Sequence, residues 1–142
     1  MIEHVWTVFC RMASFDVQTN AVSLLSIIES VATVNEPSAT HPALLESELV
    51  SLWKREDINK PESGQMRAYY IDPGGKESPP INLQINLTQG IFHRTRINIS
   101  GLAIFSKGEY SFKIELQMDG SSEWILVTTI PFIVMVEPLP QL

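Results

Sequence analysis

Pro80-Ile81-Asn82-Leu83-Gln84-Ile85-Asn86-Leu87-Thr88 alternates apolar and polar side chains without a break, and its reading decides the fold. Successive side chains of a strand point to opposite faces, so Ile81, Leu83, Ile85 and Leu87 share one face and the polar residues the other. Such a segment forms a strand buried on one side. Glu109–Met118 repeats the pattern, with Tyr110, Phe112, Ile114, Leu116 and Met118 inward and Ser111, Lys113, Glu115 and Gln117 outward. Asp119-Gly120-Ser121-Ser122 then supplies a hairpin loop, because Asp-Gly readily adopts positive φ, and Trp124–Ile130 returns as the next strand. Pro131 lacks the N–H that a ladder needs, which predicts a bulge or edge position before Phe132–Val136.

Working outward from this region, Thr95–Ile99 reads as a strand with Ile97 and Ile99 inward, and Val5–Met12 as a first strand. Gln65–Ile71 reads as another, ending at Asp72-Pro73-Gly74-Gly75, where proline and glycine suit a type II turn. Asn59–Gly64 is expected to be a surface loop. Residues 20–32 and 42–55 admit two readings. Leu24, Leu25, Ile28 and Val31 stand at helical spacing, as do Leu45, Leu49 and Leu52 behind Pro42. Read as strands instead, the second segment places Leu45, Leu49 and Trp53 on one face. Local preference favours helix; the neighbouring strands favour sheet.

The chain has 142 residues, 44% apolar and 18% charged, which fits a single globular domain over residues 1–142. Cys10 is the only cysteine, so neither a disulfide nor a cysteine metal site forms within one chain. The net charge of −6 argues against broad nucleic-acid binding, which needs excess Lys and Arg against phosphates. The opening residues include Glu3 and His4 and do not read as a signal peptide, and no run reaches the roughly 18 apolar residues of a membrane span. The expectation is a cytoplasmic protein without membrane or nucleic-acid partners. Asn86-Leu87-Thr88 and Asn98-Ile99-Ser100 are then coincidental glycosylation sequons.

The opening Cys10…Asp16-Val17-Gln18-Thr19-Asn20…Ser23-Leu24-Leu25 resembles the start of an uncharacterised bacterial family of small β-rich proteins, a domain of unknown function. His41-Pro42-Ala43-Leu44…Leu49…Trp53, Asp72-Pro73-Gly74 and Gly108-Glu109-Tyr110-Ser111-Phe112 are similar to its later segments. Asn20 departs from that pattern, where glycine-lysine is common. The resemblance implies that both ambiguous segments are strands, and it implies no activity. The expected fold is all-β: an antiparallel two-sheet β-sandwich, immunoglobulin-like, with about seven to eight strands.

Catalysis needs groups that can meet. His4, His41 and His93 are far apart in sequence and stand in no metal-binding spacing. Cys10 follows Val8 and Phe9 in an apolar strand, where a free thiol packs as a small hydrophobe. There is no Gly-x-Ser-x-Gly elbow and no phosphate-binding glycine loop, and Gly74-Gly75-Lys76 reads as a turn. Asp16, Asp72 and Asp119 read as turn formers rather than calcium ligands. No catalytic residue, cofactor or metal is expected.

Two features point to binding. Among Trp6, Trp53, Tyr69, Tyr70 and Trp124 most are expected in the core, but adjacent Tyr69 and Tyr70 must face opposite ways, so one can reach solvent. If residues 81–88 and 92–100 pair, Asn82, Gln84, Asn86, Arg94, Arg96 and Asn98 form one outward face rich in hydrogen-bonding groups. The sequence therefore points to a non-catalytic module that binds a protein partner or itself, as a homodimer. The alternative is a small-ligand or carbohydrate-binding domain using the exposed aromatics and the Asn/Arg face.

Overall fold

The computed structural model describes residues 1–137. Within them the chain is all-β, with nine strands and no helix, so no helix is long and apolar enough to cross a membrane. In chain order the strands are β1 (Ile2–Phe15), β2 (Val22–Ile27), β3 (Ser30–Thr33), β4 (Ala43–Arg55), β5 (Glu62–Ile71), β6 (Ile81–Leu87), β7 (Phe92–Ile104), β8 (Gly108–Met118) and β9 (Ile125–Val136). They form a four-stranded sheet in the order β2-β1-β4-β7 and a five-stranded sheet in the order β3-β9-β8-β5-β6. Both ambiguous segments are strands. Their helical spacing is overridden by tertiary pairing: β4 is held on both sides, by β1 and β7, and a helix would forfeit both ladders.

The main core lies where the inner faces of the sheets meet. Phe9 of the first sheet packs within 4.8 and 5.0 Å, centroid to centroid, of Phe112 and Phe132 of the second. Tyr110 stacks on Phe132 at 5.0 Å, and Trp53, Leu49, Met66, Ile85 and Leu116 fill the space around them. The period-two residues of β8 behave as their spacing requires, with Tyr110, Phe112, Ile114 and Leu116 all buried. On β6 the burial is graded: Ile85 and Leu87 are enclosed while Ile81 is exposed near the strand's start. Gly64 marks a close approach of β5 to β8. A Cβ there would lie 2.6 Å from the Gln117 carbonyl oxygen, so any side chain forces the ladder apart.

Local details refine the turn expectations. At Asp72–Gly75 the positive φ falls on Gly75 (87°), not Gly74. The Gly75 N–H donates to the Asp72 carbonyl, closing a β-turn over the expected four residues, and the Lys76 N–H donates to the Asp72 carboxylate. Without positive φ at Gly74 the turn is not type II, and Gly75 takes the left-handed conformation at its end. Gly120 takes φ 84° at the β8–β9 hairpin, as Asp-Gly requires. The bulge of β9 lies opposite Ile114/Glu115, not at Pro131. Pro131 pairs with Ser111 of β8, and β3 joins the other side of β9 only from Ile133 onward, so Pro131 sits where that edge is unpaired. Glu62–Gly64, expected in a loop, belongs to β5.

Two irregularities shape the first sheet. The segment after β2 crosses from one sheet to the other: the Ile28 N–H donates to the Phe9 carbonyl, and the Ile133 N–H donates to the Glu29 carbonyl. β3 then lies parallel to β9. Meanwhile the sheet curls into a half-barrel, so that the β1–β2 hairpin reaches across to β7 at the opposite edge. This curl encloses a second, smaller set of buried residues, Cys10, Ala13 and Val50, apart from the main core.

Candidate functional site

The site is built where the β1–β2 hairpin arches over β4 and β7. Its loop is set by Asp16, whose carboxylate accepts the N–H groups of Gln18 and Thr19, while Asn20 adopts φ 59°. A short polar side chain that bonds its own backbone is what such a loop needs. The same two amides hold the exposed Asp16 carboxyl below its ordinary pKa. The loop delivers Phe15 over the outer face of β7, where the guanidinium groups of Arg94 and Arg96 each lie 5.1 Å from its ring. Stacking of this kind draws a cation to the negative face of the ring.

The two arginines differ in what they meet. Arg96 Nε donates to Glu48 Oε1 at 2.6 Å, and a second guanidinium nitrogen also contacts that oxygen. Glu48 is almost wholly buried, and its other oxygen accepts the Ala13 N–H. Asn98 Nδ2 adds a long contact of 3.5 Å. A buried carboxylate requires such compensation, and here it ties β1, β4 and β7 together under the hairpin. Arg94 instead gives Nη2 to the Asn20 carbonyl at 3.0 Å. Among the described residues it has no carboxylate partner, and its buried Nε–H donates to no protein group. Phe15, Asn20, Leu52, Phe92, Arg94 and Arg96 contribute to the wall of a cavity of about 350 Å³.

The six residues expected on one face are divided. β6 pairs with β5 and β7 with β4, in different sheets, so residues 81–88 and 92–100 do not pair. Asn82, Gln84 and Asn86 are exposed on the edge strand of the five-stranded sheet; Arg94, Arg96 and Asn98 lie on the four-stranded one. The strands touch near their connecting loop, where His93 Nδ1 lies 3.1 Å from the Asn86 carbonyl. The contribution of Phe15 and Asn20 was not legible in sequence, since it depends on the curl of the sheet. In sequence only the turn chemistry of Asp16 and Asn20 marks a loop there, and the structure places Asn20 at positive φ within it.

Tyr69 and Tyr70 are both half-buried. Tyr70 packs against Tyr110 and Phe112, at 6.3 and 5.9 Å, and burial followed by the Tyr110 hydroxyl raises its pKa. Tyr69 faces outward beside Glu115, and burial together with that carboxylate raises its pKa. Glu115 is itself paired with Arg67, whose guanidinium lies 4.3 Å from the Trp124 ring.

No histidine among the described residues hydrogen-bonds Cys10 or a carboxylate, and no cluster of three His, Cys, Asp or Glu could hold a metal. Cys10 is fully buried, and desolvation, then Glu48, raises its thiol pKa, which suppresses the thiolate. His4 Nε2 lies 2.6 Å from Thr7 Oγ1, which lies 2.7 Å from the buried Ser51 Oγ. This chain of polar groups lines the register shift between His4 and Trp6 and joins β1 to β4.

Desolvation lowers the His4 pKa below its ordinary value, with the Trp6 backbone opposing weakly. The unfolded chain therefore binds a proton at His4 more readily than the folded one. Its contribution to stability is complete above the unfolded value of 6.5 and is lost as pH falls through the folded pKa. Urea midpoints measured from pH 7.5 down to pH 5 are expected to fall more steeply in the native protein than in His4→Gln. Parallel slopes would refute this.

Compared with known proteins, the chain matches no family model, and no curated protein matches it.

Proposed function

We propose that this chain is an immunoglobulin-like β-sandwich acting as a non-catalytic protein-interaction module, with its working face at Arg94 on the curled sheet. Two features support the fold assignment. β4 and β7 share one sheet while β5, β8 and β9 share the other, the distribution of strands B and E against C, F and G. Tyr110, near the start of β8, donates its hydroxyl to the Ser106 carbonyl at 2.7 Å, as a tyrosine corner does.

The observation that carries the function is the inequality of two neighbouring arginines. Glu48 consumes Arg96, whereas Arg94 stands stacked, half-buried and, among the described residues, without a carboxylate in a chain of net charge −6. A cation held in place by an aromatic ring, with no carboxylate partner among the described residues, supports partner binding better than fold stability. Exposed Phe92, which shares the cavity wall with Arg94, supplies apolar contact area.

The test is affinity capture from native extract with the wild-type chain, Arg94→Glu and, on the opposite sheet, Gln84→Glu. Arg94→Glu is expected to lose a specifically captured partner at least tenfold while remaining folded by circular dichroism, and Gln84→Glu retains the partner. The urea midpoint of Arg94→Glu is expected to be lowered, because the hairpin loses one of its two anchors. Light scattering at micromolar concentration decides whether the partner is a second copy. Capture that is indifferent to Arg94→Glu contradicts the proposal. Arg96→Glu is unsuitable for this purpose, because it places a second carboxylate against buried Glu48 and reports on folding.

A further inference from the structure

We propose that the Arg94 pocket receives the side-chain carboxylate of an acidic residue in an extended segment of the partner, with an apolar neighbour of that residue against Phe92. This rests on the reading that the face binds a protein. Three observations select the chemistry. The Arg94 guanidinium is fixed from two sides, by Nη2 on the Asn20 carbonyl and by the Phe15 ring, so little side-chain freedom remains to be lost on binding. Its Nε is closed to solvent and has no described protein partner, so the donors left for an incoming oxygen are the Nη N–H groups not spent on Asn20.

Charge balance then sets the kind of anion. Among the described residues Glu48 offsets Arg96, and of the two arginines that line the pocket beside His93, Arg94 is the one whose charge stays unpaired. That suits a monoanionic carboxylate better than a phosphate carrying nearly two charges. Apolar surface flanks the cation: Phe92 is exposed, and Leu52 lies half-buried in the wall. β7 also ends its sheet, so the edge turned away from β4 has no strand partner among the described residues. An extended segment running along that edge can present alternate side chains to the pocket and to solvent.

The experiment follows the Arg94 Nε–H signal of the ¹⁵N-labelled full chain by NMR. The probes, titrated through the millimolar range, are acetyl-Glu-Phe-amide, acetyl-Gln-Phe-amide and inorganic phosphate. The glutamate dipeptide is expected to shift that signal saturably and to bind at least about fivefold more tightly than its glutamine analogue, the difference between a charged and a neutral acceptor. Phe92→Ala, which leaves the guanidinium in place, is expected to weaken both dipeptides and so test the apolar contact separately. Absence of a saturable shift, equal binding of the two dipeptides, or tighter binding of phosphate overturns the assignment. If the dipeptide fails while partner capture still depends on Arg94, the interaction reading survives and the carboxylate assignment alone falls. If the dipeptide binds and capture ignores Arg94→Glu, the protein-binding reading falls and takes the proposed occupant with it.

Discussion

Trp53→Ala is expected to lower the unfolding free energy by about 3–5 kcal/mol, the cost typical of removing a large aromatic from a packed interior. Trp53 is the largest side chain that is fully enclosed, with 0% of its surface exposed. It lies on β4, the strand paired on both sides, and packs edge-on against His4 at 5.1 Å. Its indole N–H also donates to Thr95 Oγ1 at 3.0 Å, in a setting closed to water. Alanine removes the packing and strands the threonine hydroxyl together. Since domains are stable by only about 5–15 kcal/mol, the variant sits near the edge of folding.

Urea unfolding followed by circular dichroism measures the loss. A drop below about 1 kcal/mol would show that the two sheets close around the space. Trp53→Phe separates the contributions, because it keeps a ring and orphans only Thr95. Adding Thr95→Val to Trp53→Phe is then expected to recover part of the loss, since removing both partners of a buried hydrogen bond is milder than removing one.

The second large effect is expected at Glu48. Glu48→Ala should cost about 2–4 kcal/mol, less than a fully buried ion pair would, because Arg96 is partly hydrated and water can replace some of what it loses. The side chain of Glu48 is only 4% exposed while that of Arg96 is 44% exposed, so the burden falls on the other partner, the Ala13 N–H. That amide lies on the curled part of β1 and is itself buried. Hydrogen exchange at Ala13 is expected to accelerate well beyond that of Leu116, which lies in the other sheet. Uniform acceleration across both sheets would mean that Glu48 stabilises the fold globally and does not specifically hold the hairpin down.

Glu48→Ala should also loosen the Phe15–Arg94 stack, since the hairpin is anchored to β7 through Arg96 and Arg94 side by side. Reduced partner binding in Glu48→Ala is therefore expected even though Glu48 does not line the pocket.

The legible part of the molecule is the part whose signal is local. Ile81–Leu87 and Tyr110–Leu116 alternate along the chain itself, so their strands and inward faces follow from the backbone geometry of an extended segment. Asp119-Gly120 and Asp72–Gly75 likewise announce reversals, although the positive φ in the second falls on Gly75 and not Gly74. Residues 42–55 resisted because Leu45, Leu49 and Leu52 satisfy a helical stripe as well as they serve a strand. What settles that segment is the offer of ladders from β1 and β7, residues distant in sequence.

The candidate site divides along the same line. Arg94 and Arg96 were legible as outward-facing residues of a strand, because alternation fixes which side of β7 they occupy. Their separation from β6 was not, since nothing within 81–100 says that the chain changes sheets between the two strands. Nor does the sequence separate the two arginines, which stand two residues apart in the same local pattern. Glu48, from a different strand, neutralises one; Phe15 and Asn20, from a hairpin folded across the sheet, stack on and anchor the other. By itself the sequence determined the strands of its alternating stretches and the faces they present, because period-two alternation depends only on bonded geometry. Only the tertiary structure decided which strands are neighbours and which of the two arginines lacks a carboxylate among the described residues, because charge pairing and burial depend on distances between groups that the chain brings together only on folding.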